Sequence, residues 1–225
     1  GEENHHGRQQ LHRGLGTRPG GHGGPGARRI RVDLDDLHLV RDPGEIGLET
    51  LGVYTERGRI ITDGQGRTNV PGVYAVGDVN GVWMLAHAAY REAEVAVNTI
   101  LGKKDTMRYQ AMPSVLYTNP EMGFVGETEE TATAKGLKFK KIVLPMGFSG
   151  RYLAENEGGD GIIKLIIDEE RQRLIGCHLL GSYASEIIMT AGVLVETEMR
   201  IDDIKELIFP HPTVSEIIRE AIFHG

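Results

Sequence analysis

Two apolar runs, Gly161-Ile162-Ile163-Lys164-Leu165-Ile166-Ile167 and Arg173-Leu174-Ile175-Gly176-Cys177-His178-Leu179-Leu180, flank the polar stretch Asp168 to Gln172. Both are short, rich in β-branched residues and bounded by turn-forming residues, the pattern of two strands joined as a hairpin. Beyond Leu180 the period changes. From Ser182 to Met199, Ile187, Ile188, Ala191, Leu194 and Val195 fall on one face at helical spacing, which predicts a long amphipathic helix. A hairpin that hands on directly to a helix able to cover it predicts an α+β unit.

Working outward, Lys138 to Leu144, Met122 to Val125 and Ser114 to Tyr117 read as further strands, the last two joined by a turn at Asn119-Pro120. Thr128 opens a short helix that Gly136 closes. Asp202 to Ile208 and Thr213 to Phe223 read as helices. Residues 111–225 are therefore expected to form an antiparallel sheet with helices on one side. Residues 45–110 read differently. Ile60 to Thr62 and Gly72 to Val76 are expected as strands, the second buried and ending in Gly77-Asp78. A helix from Ala86 to Leu101 follows, closed by Gly102. Strand, loop, helix is a partial α/β segment. Residues 1–44 hold five of the nine histidines and little hydrophobic periodicity. Too little apolar surface is present there to offset the entropy of ordering. Disorder is expected through Ala27, with one strand from Arg28 to Val40.

Composition narrows the function. A net charge of -7 argues against a nucleic-acid surface, which needs clustered Lys and Arg. No apolar run approaches the ~20 residues of a membrane span. No secretory signal is evident, so a cytoplasmic setting is the expectation. One cysteine, Cys177, excludes an intramolecular disulfide framework and reads as a small buried hydrophobe. His5, His6, His12 and His22 lack the spacing of a closed metal site, and no metal is expected. Gly14-Leu15-Gly16 with Gly20 imitates a nucleotide fingerprint without the strand and helix that would give it meaning.

Two constellations could carry chemistry. The first is His211-Pro212-Thr213-Val214-Ser215-Glu216. Thr213-x-x-Glu216 is a capping box, and Pro212 stops the helix running backward. Spacing alone favours that structural reading, which leaves His211 unexplained. In the functional reading Glu216 accepts a hydrogen bond from one ring nitrogen, which fixes the tautomer and leaves the other nitrogen free as a base. The second is Thr68 to Asp78, with Met84-Leu85-Ala86-His87 beyond it. Gly77 permits close approach of a ligand, Asp78 can bind hydroxyls, and the helix start offers free amides to an anion. The bland alternative is an ordinary strand-end turn.

The runs Thr68 to Asp78 and Met84 to His87 resemble the second flavin-binding motif of the pyridine nucleotide–disulfide oxidoreductases. Pro113 to Glu121 with Gly123-Phe124-Val125-Gly126 is similar to the start of that family's dimerisation domain. Ser149 to Asn156 with Gly158 to Lys164 resembles its dihydrolipoyl dehydrogenase branch, and His211 to Glu216 matches its active-site His-Glu pair. The resemblance implies FAD and NAD as cofactors, with Gly77, Asp78, Leu85, Ala86 and His87 at the flavin. It implies His211 and Glu216 as the catalytic acid–base pair, serving the disulfide of the other subunit of a homodimer. A lipoyl-bearing protein would be the substrate. It reverses the odds on His211. The paired redox cysteines and the glycine fingerprints for the ADP half of FAD and for NAD are absent from these 225 residues. The chain therefore reads as the end of an FAD domain (45–110) and a dimerisation domain (111–225) behind an unrelated or mistranslated leader (1–44), inactive alone. A non-catalytic dimerisation module, or part of a glutathione or mercuric reductase, is the alternative. The missing C-terminal cysteine pair counts against the last.

Overall fold

The structure is a computed structural model that describes residues 47–157 and 160–225. The expectations for residues 1–44 lie outside the described residues.

Five strands form one antiparallel sheet: β3 (Ser114–Leu116), β4 (Met122–Gly126), β5 (Phe139–Pro145), β6 (Ile162–Asp168) and β7 (Arg173–Leu180), in the order β3-β4-β7-β6-β5. The β6–β7 hairpin sits at its centre, as its two-sided burial requires. Asp168 shapes the connecting turn, its Oδ1 accepting from the amides of Glu170 and Arg171. Alternation points Ile163, Leu165, Ile167, Cys177 and Leu179 to one face, and a bulge in β7 opposite Ile166 and Ile167 brings Leu174 back to it, joined by Val125, Ile142 and Leu144.

Two helices cover that face. Helix α5 (Ala184–Glu196) lays Ile187, Ile188, Ala191, Leu194 and Val195 over β4 and β7, and α7 (Glu216–Phe223) lays Ile217, Ile218, Ala221 and Ile222 over β5 and β6. Each such Ile, Leu or Val side chain, once buried, stabilises the fold by about 1.5–3 kcal/mol before entropy is counted. Tyr152 on α4 (Gly150–Glu155) is also fully buried in this core. The short α6 (Ile201–Lys205) adds Ile201 and Ile204. The expected fold class therefore holds. One helix differs in placement: α3 (Glu129–Ala134), opened by a Thr128–Thr131 capping box, packs Ala132 against Ile166 and Ile175 on the opposite face. Beyond α3 that face turns polar, with Lys141 and Lys164 both bonded to Glu129.

The preceding segment is less regular than expected. After α1 (Leu48–Leu51), β1 (Thr55–Glu56) and β2 (Arg59–Ile60) form a hairpin whose two loop residues, Arg57 and Gly58, both have positive φ. This primed geometry matches strand twist. Gly72–Val76 is not a regular strand. It makes one bridge, Arg67 to Tyr74, with Ala75 N–H donating to Gly66 O and Thr68 N–H to Val73 O. A strand needs a continuous ladder, and among the described residues only Gly66–Thr68 runs beside it. Helix α2 (Ala86–Ile100) ends as its sequence predicts: Gly102 takes φ 72, with Gly102 N–H donating to Thr99 O and Lys103 N–H to Asn98 O.

Candidate active site

The His211–Pro212 peptide is cis, and a short turn through Thr213, Val214 and Ser215 leads into α7. Glu216, the first residue of that helix, divides its carboxylate between two tasks. Oε2 accepts from the Thr213 amide at 2.8 Å, and Oε1 lies 2.9 Å from His211 Nδ1. The expected capping box is thus half formed, and α7 begins three residues later than Thr213. The Thr213 hydroxyl donates to Pro210 O and meets Ser215 Oγ instead of receiving a helix amide. Val214 and Ser215 make a tighter turn, their carbonyls accepting from Ile217 and Ile218.

The electrostatics follow from these contacts. Burial pushes the Glu216 carboxyl up, but the Thr213 amide and the His211 ring outweigh it and hold the group below the usual carboxylate range. The His211 side chain is 79% exposed while that of Glu216 is 14% exposed. An anchored carboxylate thus orients an imidazole whose far nitrogen faces outward. A neutral ring donating Nδ1–H to Glu216 keeps Nε2 as acceptor, the state a general base needs. Beside the turn opens a cleft of about 440 Å³, lined by Pro212, Thr213, Tyr183, Arg151, Glu155 and Glu186.

The second group of residues gathers around α2. Gly77 begins a single 3-10 turn, Gly77–Asn80, with φ 77. A Cβ there would lie 3.1 Å from that of Ala89, so the turn packs directly on the helix. Asp78 is exposed, and among the described residues its carboxylate has no partner. Leu85 is the N-cap of α2 in extended conformation, without a side-chain cap. The first-turn amides at Ala86 and His87 are therefore left to a ligand or solvent. The His87 ring turns away, its Nε2 2.8 Å from Pro113 O. No hydrogen bond among the described residues joins this group to His211.

Sequence reasoning missed Glu92. It is buried, and its carboxylate accepts from Gly77 N–H at 2.6 Å, Asn80 Nδ2 at 2.7 Å and Tyr109 OH at 2.9 Å. The clue was present: Glu92 falls in the buried stripe of α2 with Ala88 and Val95, where a carboxylate needs an internal reason. A larger cavity of about 980 Å³, lined in part by Arg91, Arg108, Met112, Met189 and Val193, lies between α2 and α5. Its two arginines are answered locally, Arg91 by Asp105 and Arg108 by Glu196.

Comparison with known proteins bears on the whole of this arrangement. Residues 112–222 match the pyridine nucleotide-disulphide oxidoreductase dimerisation domain, and residues 39–93 match the pyridine nucleotide-disulphide oxidoreductase family model. The chain belongs to this family. Both the His211–Glu216 turn and the Gly77–Asp78 turn lie within the matched spans. The dihydrolipoyl dehydrogenase of Chlamydia muridarum is 38% identical over 177 residues, covering 78% of this chain and 38% of the relative. That of Vibrio parahaemolyticus is 40% identical over 172 residues, covering 76% and 36%. The chain thus spans little more than a third of the length of these curated relatives. Among solved structures, LpdA from Mycobacterium tuberculosis superposes with a TM-score of 0.75 at 25% identity, over 80% of this chain and 40% of that one. The HOCl-induced flavoprotein disulfide reductase RclA from Escherichia coli, as its Cu(II) complex, shares the fold with a TM-score of 0.72 at 24% identity, over 81% and 42%.

Proposed function

We propose that the chain is the flavin-proximal and dimer-forming part of a dihydrolipoyl dehydrogenase-like flavoprotein, and that His211 is its acid–base with Glu216 as its orienter. The observation that carries this reading is the 2.9 Å contact between Glu216 Oε1 and Nδ1 of an exposed ring. In the direction of substrate oxidation, His211 Nε2 takes the proton of a dihydrolipoyl thiol and becomes imidazolium. The thiolate attacks the disulfide of the partner subunit, releasing one of its sulfurs as thiolate. Glu216 balances the new ring charge without taking the proton itself. The lipoyl-bearing protein and the homodimer come with the resemblance to the dihydrolipoyl dehydrogenases.

The residues present fit the flavin end of FAD. Exposed Asp78 suits the ribityl hydroxyls, Gly77 lets the backbone approach, and the uncapped start of α2 suits a developing negative charge. When bound, FAD supplies the two-electron acceptor. Nothing among the described residues fits its ADP half or NAD. The only cysteine in the 225 residues, Cys177, is fully buried, and burial pushes its thiol up to about 12. It is no redox partner. The chain alone is therefore expected not to reduce lipoamide with NADH.

A second reading, a non-catalytic dimerisation module, is favoured by the separate hydrophobic core built between Val125 and Ile222. Flavin decides between them. A purified chain that binds FAD, with absorbance near 450 nm, and that gives NADH–lipoamide turnover when joined to a cysteine-bearing N-terminal part of such an enzyme, supports the first. A colourless stable dimer that gives no turnover in that combination sinks it.

A further inference from the structure

Glu92 lies inside the molecule without a cation to answer it. It is 2% exposed, and no Lys, Arg or His pairs with it among the described residues. A buried carboxylate is costly unless donors surround it. Its three donors come from separate places. Gly77 and Asn80 belong to the turn before α2, and Tyr109 belongs to the linker after it. Asn80 passes the hold onward, its Oδ1 accepting from Val82 N–H at 2.9 Å. The segment from Gly77 to Val82 is thus tied at three points, and Asp78 is carried on its outer side.

We infer that Glu92 is a positioning residue for ligand binding: it fixes the Gly77–Asn80 turn so that the Asp78 carboxylate is presented to the flavin, and Tyr109 clamps it from the linker. This rests on the flavin reading above. Tyr109 suits the part, since burial and then the Glu92 carboxylate both disfavour loss of its proton, so it stays a donor across ordinary pH. Ordinary helix stabilisation would need no such convergence. An exposed pair on the surface of α2 would serve as well and spare the desolvation of a carboxylate.

The full 225-residue chain tests this with two measurements on Glu92→Gln, Tyr109→Phe and Asp78→Ala. Glutamine keeps the size of Glu92 but not its charge: its oxygen can serve Gly77 and Asn80 only with the amide nitrogen turned to the Tyr109 hydroxyl, and three charge-assisted bonds become weaker neutral ones. Backbone hydrogen exchange reads the turn. The amides of Gly77 and Val82 should exchange at least about tenfold faster in Glu92→Gln, with the sheet amides unchanged. Titration with FAD, followed by quenching of flavin fluorescence, reads the ligand. Affinity should fall about tenfold in Glu92→Gln, by less in Tyr109→Phe, and most in Asp78→Ala, whose turn should exchange as in the parent. Unchanged exchange at Gly77 in Glu92→Gln overturns the inference. So does parental FAD affinity in Glu92→Gln. A parent chain that binds no FAD even at millimolar concentration overturns the flavin reading, and the presenting role with it. Absence of FAD binding in the parent thus marks failure of the flavin reading, whereas parental affinity in Glu92→Gln beside a parent that binds marks failure of the positioning role alone.

Discussion

Replacing Glu216 by Gln should invert the tautomer of His211, and this can be measured without any catalytic assay. In the parent, Oε2 accepts from Thr213 N–H at 2.8 Å and Oε1 faces His211 Nδ1 at 2.9 Å. Glutamine has one oxygen to offer. The Thr213 amide is a fixed donor, so the oxygen stays with it and the new NH2 turns to the imidazole. Nδ1 must then accept, and the ring proton moves to Nε2. The outward nitrogen becomes N–H and can no longer take a proton from a thiol. The stability cost follows from the same contacts. A charge-assisted hydrogen bond becomes a neutral one, and a negative charge is lost from the first residue of α7. Together these come to about 1–2 kcal/mol. In an assembled enzyme, loss of the general base lowers turnover by about 10²–10⁴-fold. Nitrogen-15 NMR of histidine-labelled chain distinguishes the two neutral tautomers, and urea unfolding gives the stability. An Nδ1–H ring in both proteins would refute the reasoning. The charge also sets a pH signature. Because the Glu216 carboxyl is held below its usual range, its contribution is fully present above about pH 4.5 and is lost as the pH falls through the folded value. That loss should be missing in Glu216→Gln.

Three further outcomes are expected. His178 packs between Phe124 and Lys164 on the polar sheet face, and neither of its buried ring nitrogens makes a hydrogen bond of normal geometry. Burial first, then the Lys164 charge, hold its pKa down, and the Lys164 backbone and the Glu129 and Glu130 carboxylates only partly offset them. The unfolded chain therefore binds the proton more readily, and stability drains away as the pH falls below about 6.5. His178→Leu should raise stability by about 1 kcal/mol at neutral pH and remove that slope, by urea titration across pH 5–8. Cys177 should resist an aromatic disulfide reagent in the native chain and react fully in denaturant; rapid native labelling would contradict its burial. Gly176→Ala would place a Cβ 2.1 Å from the Glu127 carbonyl oxygen. Separating β4 from β7 at that point should cost more than about 3 kcal/mol, read as a lowered urea midpoint.

The parts of the fold legible in the sequence were those whose pattern is long and self-consistent. The β6–β7 hairpin, the stripe of α5 and the Gly102 stop of α2 each carry a period or a backbone requirement that admits one reading. The β1–β2 hairpin was hidden because each strand is two residues long and its turn relies on Arg57 at positive φ. Gly72–Val76 has strand composition but lacks a ladder on both sides, and composition cannot report a missing neighbour. The start of α7 was misplaced because Thr213-x-x-Glu216 fits a capping box, whereas Glu216 is shared with His211 and the Thr213 hydroxyl serves Pro210. Of the candidate sites, the His211–Glu216 pair was readable because both members lie within one turn of sequence. Glu92 was not, because its donors lie 12 to 17 residues away and only folding assembles them.

The base, its orienter and the tether that anchors the orienter all sit within six consecutive residues, between Pro210 and the first turn of α7. Such a unit needs no contact from the nucleotide-binding portion to take shape. It is ready before subunits meet, so association has to bring a thiol to the ring rather than build the ring's environment. The same hexapeptide, grafted at the start of another well-packed helix, should arrive with its imidazole already aimed.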